Sequence, residues 1–245
     1  MSGQKLSLDL NFDDCRFEDF AKKCHKNLQM VKDKMLIVAA NMIDEEKAID
    51  YSKFLLGMGA NINGEIDGES PIYAATRDIM NGETDLVAAK WLVENGVYVN
   101  GRDYIGWTPL LQAAEHSDLE YVKLLVEKGA DVNAITDSDR DCDKSSVLSL
   151  ACDYSSLEII KYLIEKGAKI DVRPPDGRTP LICACDRLKK EEEGREVDIV
   201  KYLLEMGADA TIADNEGLTP LAHAKINKKE KLVEILLKHL ENLKK

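Results

Sequence analysis

Thr108-Pro109-Leu110-Leu111-Gln112-Ala113-Ala114 and, some way downstream, Gly129-Ala130-Asp131-Val132-Asn133 are the two stretches that decide the fold. A hydroxyl residue followed by proline opens a helix for a physical reason. The Thr oxygen can accept one of the backbone N–H groups that a first turn leaves without partners. Proline gives up only a donor that would have had no acceptor. A glycine closing an apolar-periodic segment marks the opposite end, where the chain leaves a helix through a left-handed conformation. Between the two stretches Val122, Leu125 and Val126 keep helical spacing, so the segment reads as a pair of short helices.

The same signals recur along the chain. Ser70-Pro71-Ile72, Thr179-Pro180-Leu181 and Thr219-Pro220-Leu221 repeat the start, and Gly59, Gly96, Gly167 and Gly207 repeat the stop. Gly68, Gly106, Gly177 and Gly217 each stand two residues before an opening hydroxyl, where a tight turn is expected. Helix openings fall at Lys34, Ser70, Thr108, Ser146, Thr179 and Thr219. Leu157, Ile160, Leu163 and Ile164 give another second helix its apolar stripe. Each unit therefore reads turn, short helix, loop, second helix, glycine cap. One such pair cannot bury its own apolar face, so successive units must stack.

On these residues the chain resembles the ankyrin repeat family. Thr108–Ala114 resembles the family's Thr-Pro-Leu-His-Leu-Ala-Ala stretch, and Gly129-Ala130-Asp131-Val132-Asn133 matches its glycine-capped turn. Near copies occur at Gly59-Ala60-Asn61-Ile62-Asn63, Gly167-Ala168-Lys169-Ile170-Asp171 and Gly207-Ala208-Asp209-Ala210-Thr211. The resemblance covers about residues 30–245 and implies an all-α ankyrin repeat solenoid. About six helix-turn-helix units stack, with β-turn or hairpin fingers and helical end caps. One departure stands out: the family histidine of the first helix is absent everywhere, replaced by Ile37, Tyr73, Leu111, Ser149, Ile182 and Ala222. That puts the usual hydrogen bonding at the helix start in doubt, though not the fold.

The expected organisation is an N-terminal segment and capping helix over 1–30, followed by repeats at about 31–63, 64–100, 101–133, 134–171, 172–211 and 212–245, the last with a C-terminal cap. Helix start to glycine cap is longest in units one, two and five, which predicts longer loops between their helices. Unit five holds the polar run Lys189–Glu196 there. Unit four has instead a long preceding turn. Extra residues in surface loops cost little closure entropy, so such insertions are tolerated. Phe17, Phe20, Cys24 and Leu28 form the stripe of a leading helix starting at Asp13 or Asp14. Leu232, Ile235, Leu236 and Leu240 form that of the last helix, with Lys228, Lys229, Lys231 and Lys238 on its other face. Leu6 to Phe12 alternates as a strand would; it reads as a tail lying along the first helices, the alternative being a strand offered to a partner's edge.

Composition narrows the function. The chain has 245 residues, 33 basic against 45 acidic side chains and a net charge of −12. Residues 225–245 alone carry +4, which leaves −16 on residues 1–224. That balance argues against general binding to nucleic acid or to anionic membranes, both of which need clustered Lys and Arg. No apolar run is long enough to span a bilayer. Asp9 interrupts the stretch where a signal peptide would need apolar residues. A cytoplasmic, monomeric protein with six reduced thiols is expected.

The resemblance implies a binding surface made of the turn tips and the ends of the first helices. Arg77 and Asp78, Glu115 and His116, Asp153 and Tyr154, and Asp186 and Arg187 end those helices, with Tyr104 and Trp107 at the third unit's turn. Asp78, Glu115, Asp153 and Asp186 would form a carboxylate column with aromatics beside it, suited to another protein with a basic surface. Asp137, Asp139, Asp141 and Asp143 alternate like the start of a calcium loop, but Cys142 stands where that loop needs glycine and Leu148 where it needs glutamate. Cys152, Cys183 and Cys185 read as small core residues, and Trp91 as core. No nucleophile elbow, phosphate loop or zinc pair occurs, so neither enzyme activity, cofactor nor metal is expected. The expected function is a protein-interaction scaffold. The alternatives are an inhibitor or immunity-type protein that neutralises a basic enzyme or toxin and, remotely, a metal-dependent protein using the groove carboxylates.

Overall fold

A paired helical pattern with a glycine after every second helix should give two parallel layers of helices, and it does. The computed structural model describes residues 28–42, 44–76, 86–116, 118–137, 145–186 and 194–243. Twelve helices run through these residues in consecutive pairs: α1 Leu28–Ala40 with α2 Glu45–Gly57, α3 Pro71–Ala74 with α4 Val87–Glu94, α5 Pro109–His116 with α6 Leu119–Glu127, α7 Val147–Tyr154 with α8 Leu157–Glu165, α9 Pro180–Asp186 with α10 Arg195–Glu205, and α11 Pro220–Ile226 with α12 Glu230–Asn242. Each first helix packs on its own second helix. Along the stack α5, α7, α9 and α11 form an inner row, and α2, α4, α6, α8, α10 and α12 an outer one. No strand occurs among the described residues, only isolated bridges at Ile66–Glu69 and Ile135–Ser146.

The inner row shows why stacking is obligatory. Pro180, Leu181, Ile182, Cys183, Ala184 and Cys185 of α9 are all buried, because neighbouring units cover the helix from both sides. Cys152, Cys183 and Cys185 sit in this core, and Trp91 packs against it half-buried. One continuous apolar cluster runs from Ile37 to Leu236, while Met35, Leu36, Ala39, Leu55 and Ala60 form a smaller one under the first pair.

The glycine stops behave as the pattern predicts. At Gly129, φ is +90°, a conformation that L side chains avoid, and Gly59, Gly96, Gly167 and Gly207 share it. Most starts also hold: Thr108, Ser146, Thr179 and Thr219 accept the N–H of Leu111, Ser149, Ile182 and Ala222. Two starts differ. Ser70 precedes Pro71 in extended backbone, but its hydroxyl makes no cap bond. Lys34 opens nothing; it lies inside α1, and the capping-type residue before it, Asp33, directs its Oδ1 to the Asn61 N–H at 2.6 Å and the Gln29 amide at 2.9 Å instead of to a helix N–H. The long loop expected in unit one is therefore not there. Residues 41–44 join α1 to α2, and the extra length lies in thirteen-residue helices. In units two and five the first helices end at Ala74 and Asp186 and the second begin at Val87 and Arg195, and most of the residues between, where the long loops are expected, lie outside the described residues. Unit four's long turn closes at its base, where Thr136 N–H donates to Ser145 O at 2.9 Å and Ser145 N–H to Thr136 Oγ1 at 2.9 Å.

The ends are covered only in part by the description. The strand-like tail and the leading cap lie outside the described residues, except Leu28 at the first turn of α1, where it is exposed. At the other end Leu232 and Leu236 are buried, with Ile235 and Leu240 packed beside them. Lys229 does not face outward: its ammonium lies 2.6 Å from Glu196 Oε2 with only 13% of its side chain exposed. This partly buried pair ties the last unit to α10.

Polar ladders join the units where no apolar surface can. Asn100 Oδ1 accepts the Asp131 N–H at 2.8 Å while its Nδ2 donates to Gly129 O at 2.9 Å. Asn133 repeats both bonds with Lys169 and Gly167. Asn63 accepts from the Tyr98 N–H and Asp171 from the Asp209 N–H. The absent histidine has substitutes too. Tyr73 fills its position and directs its hydroxyl to the carbonyls of Gly101 and Trp107 in the next unit. One residue further along their helices, Gln112 and His223 reach Asp103 and Asp214 of their own turns.

Candidate protein-binding groove

The third finger is built around one carboxylate. Asp103 Oδ1 accepts the N–H groups of Ile105 at 3.0 Å and Trp107 at 2.9 Å, and Oδ2 accepts from Gln112 Nε2 at 3.2 Å. Burial lifts this carboxyl above the ordinary carboxylate range, although those hydrogen bonds oppose the lift. The turn glycine is also fixed. Gly106 has φ +82°, and a Cβ there would stand 2.1 Å from Asp137 O, so this finger lies directly against the next. With its backbone held on three sides, the finger presents Tyr104 with 79% of its surface in water.

Between this finger and the ends of α3 and α5 lies an open groove of about 550 Å³. Tyr104, Trp107, Glu115 and His116 line it together, so four of the residues expected at a binding surface do converge. Gly68, Glu69, Tyr73, Thr76, Asp103, Ile105 and Gln112 complete the described lining. Thr76 Oγ1 lies 2.8 Å from Gln112 Oε1, which links unit two to unit three across the groove floor. No Lys or Arg is among the described residues that line it. Burial pushes His116 below the ordinary histidine value, which leaves it neutral near pH 7. The described lining thus sets the carboxylates Glu69, Asp103 and Glu115 beside aromatic walls.

Further along, the carboxylate column is less open than the sequence implies. Asp153 and Tyr154 end α7, and Tyr154 is 40% exposed. Burial, then the nearby charges of Asp153 and Glu115, raise the Tyr154 phenol above its ordinary value. Asp186, however, is engaged from within. Arg178 Nη2 lies 2.5 Å from its Oδ2, Asn227 Nδ2 donates to Oδ1 at 2.8 Å, and His223 Nδ1 stands 3.3 Å from Oδ1. Burial pushes the Asp186 carboxyl up, but Asn227, Arg178 and His223 together bring it below the ordinary value. Arg77, Asp78 and Arg187 lie outside the described residues.

Glu69, Asp103, Gln112 and Arg178 escaped the sequence reading. One signal for Asp103 was available: it precedes Thr108 by the same spacing with which Asp214 precedes Thr219. Burial lifts the Cys185 thiol to about 12 and that of Cys183 well above its ordinary range, so neither is a poised nucleophile. Among the described residues no three His, Cys, Asp or Glu side chains converge as a metal ion would require. Of the alternating aspartates only Asp137 is described; Asp139, Asp141 and Asp143 lie outside. No described helix is long and apolar enough to cross a membrane.

A family model described as ankyrin repeats (three copies) matches residues 36–136 and 135–214. Among curated proteins, alpha-latroinsectotoxin-Lt1a of Latrodectus tredecimguttatus is 39% identical over 87 residues, which is 35% of this chain and 6% of that protein. A putative ankyrin repeat protein of Rickettsia bellii is 38% identical over 53 residues, 22% of this chain and 16% of the relative. Ankyrin repeat, SAM and basic leucine zipper domain-containing protein 1 of Oryctolagus cuniculus is 33% identical over 79 residues, 32% of this chain and 16% of the relative. The matched stretches thus span a small fraction of each of these proteins.

Proposed function

This chain belongs to the ankyrin repeat family, and from that premise we propose that it is a non-enzymatic scaffold holding another protein in its groove. Repeats of this family are protein-interaction modules, and stacked repeats create the extended concave surfaces such modules use. Six units with boundaries near 63, 100, 133, 171 and 211 form the stack, and the polar ladder residues Asn63, Asn100, Asn133 and Asp171 stand at four of those boundaries. We take the chain to act as a cytoplasmic monomer whose partner has a basic surface.

The observation that carries this reading is the convergence of Tyr104, Trp107, Glu115 and His116 on one open groove with no lining cation among the described residues. An aromatic wall supplies contact area, and the carboxylates supply orientation and rate through charge complementarity. Affinity capture from native lysate compares the intact chain with the double variant Glu115→Lys, Asp153→Lys. A partner retained by the first and lost by the second supports the reading. Equal recovery by both overturns the assignment of the groove.

A further inference from the structure

Glycine has no side chain to shield its nitrogen, so an asparagine followed by glycine is open to attack of the main chain on its own side-chain amide. The chain holds this pair at Asn63-Gly64, Asn81-Gly82, Asn95-Gly96 and Asn100-Gly101, of which Asn81-Gly82 lies outside the described residues. The three described pairs are chemically alike and structurally unlike, and we infer that Asn95 is the site at which the folded chain deamidates.

At two of the pairs the stack itself restrains the amide. Asn100 is half-buried; its Oδ1 accepts the Asp131 N–H and its Nδ2 donates to Gly129 O, both in the following unit. Asn63 Oδ1 accepts the Tyr98 N–H at 2.6 Å, and the Asn63 N–H donates to Asn61 Oδ1 at 3.0 Å. The nucleophile is held there too: Gly64 is buried, and its N–H donates to Asn61 O at 2.8 Å. Bringing either Cγ onto the following nitrogen means releasing a neighbouring unit, an opening that involves more than one turn.

Asn95 takes no part in that ladder. It is the C-terminal cap of α4, and both it and Gly96 are exposed. Its Nδ2 donates at 2.8 Å to Trp91 O of its own helix, in contact with water. The Gly96 N–H reaches Val93 O only at 3.3 Å, a long bond, and a Cβ built on Gly96 meets nothing within 4 Å. Fraying of one helix end therefore releases amide and nucleophile together, and helix ends open at the lowest free energy.

The chemistry needs only water. Solvent hydroxide removes the Gly96 N–H proton, the nitrogen bonds to Asn95 Cγ, the Cγ–Nδ2 bond breaks and ammonia leaves. Water then adds to either carbonyl of the cyclic imide and breaks one of its C–N bonds, which leaves aspartate or isoaspartate. No electron is transferred; one water is consumed and one ammonia released. The new carboxylate stands at the C-terminal end of α4, where the helix dipole disfavours an anion. Isoaspartate also lengthens the main chain by one carbon beside Val97, whose N–H donates to Leu92 O at 3.1 Å.

The full chain carrying Asn81→Gln, incubated in mildly alkaline buffer either folded or unfolded in guanidinium chloride, tests this by mass mapping of its peptides. In the folded chain Asn95 should convert at least about tenfold faster than Asn63 and Asn100, and in guanidinium the three rates should converge. Asn95→Gln, at an exposed position, should remove the fast conversion and leave the other two sites unchanged. Comparable rates at the three sites in the folded chain overturn the inference. So does a folded chain in which Asn95 stays intact over the time that converts it when unfolded.

Discussion

His223 stands with Nε2 2.7 Å from Asp214 Oδ2, which fastens the start of α11 to the turn that leads into it. Its other ring nitrogen faces Asp186 Oδ1 at 3.3 Å, so one imidazole joins a finger to the end of the neighbouring first helix. Burial alone would raise the Asp214 carboxyl. The His223 bond and the N–H groups of Leu218 and Glu216 overcome that and hold it below the ordinary value. A carboxyl lowered in the folded state stabilises the fold above its unfolded pKa, and that contribution is lost as pH falls through the folded value. Asp186 is lowered likewise. Thermal unfolding should therefore show a melting temperature that drops on acidification below the ordinary carboxylate range. His223→Ala should remove about 1–3 kcal/mol at neutral pH and flatten the acid dependence. A variant with the same acid dependence as the parent would show that the pair contributes nothing to it.

Gly106 and Gly217 occupy equivalent turns, with φ of +82° and +80°, but different surroundings. A Cβ on Gly217 meets nothing within 4 Å, whereas one on Gly106 meets Asp137 O at 2.1 Å. Gly217→Ala should cost only the left-handed backbone term, about 1–2 kcal/mol. Gly106→Ala adds a backbone clash and should cost about 3 kcal/mol or more. Urea denaturation of both variants measures the difference, and equal losses would mean that the fingers are not in contact at Asp137.

Asn133 makes two rungs of the inter-unit ladder, accepting from Lys169 N–H at 2.8 Å and donating to Gly167 O at 3.2 Å. Asn133→Ala should lose about 1–2 kcal/mol, since both partners belong to a neighbouring turn. Asn133→Asp keeps the acceptor and loses the donor, as Asp171 does naturally against the Asp209 N–H, and should fall between the two. Hydrogen exchange at the Lys169 amide reports the same bond directly; no acceleration in the alanine variant would sink the ladder as a source of coupling.

What the sequence made legible follows from how local each cause is. Thr108, Pro109 and Gly129 act within a turn of themselves, so the helix boundaries of unit three could be read directly. Unit one has weaker punctuation: Asp33 before Lys34 is a capping-type residue, but no proline follows it and its carboxylate accepts the Asn61 N–H beyond α2, so a start read at Lys34 falls inside α1. Lys229 shows a second limit. It stands at the residue before α12, off that helix's apolar stripe, but Glu196 on another helix decides where its ammonium goes. The groove divides in the same way. Tyr104, Trp107, Glu115 and His116 belong to one repeat, whose register brings them together. The engagement of Asp186 arises from Arg178, Asn227 and His223, two of them in the next unit, and no spacing rule points to that.

Tyr73 occupies the position where the family carries histidine, and its hydroxyl is shared between the carbonyls of Gly101 and Trp107. Burial raises that phenol far above its ordinary value, so it remains a neutral donor throughout the accessible pH range. Tyr73→Phe preserves the ring and therefore the packing between units two and three, and deletes only the bond. The expected stability loss is about 1 kcal/mol. The sharper effect should be local. Asp103 still holds Trp107 on both sides, accepting its N–H and donating its own N–H to the Trp107 carbonyl at 2.9 Å, but the tie from that carbonyl to α3 is lost, so the finger and its aromatic wall gain freedom relative to α3. Amide exchange at Trp107 and Gly106 should quicken while exchange in α9 and α10 stays unchanged, and capture of a groove-dependent partner should weaken more than capture by Gly217→Ala, a variant destabilised to a similar degree away from the groove. Unaltered exchange at Trp107 would mean that Asp103 alone fixes the finger and that the tyrosine serves only the core.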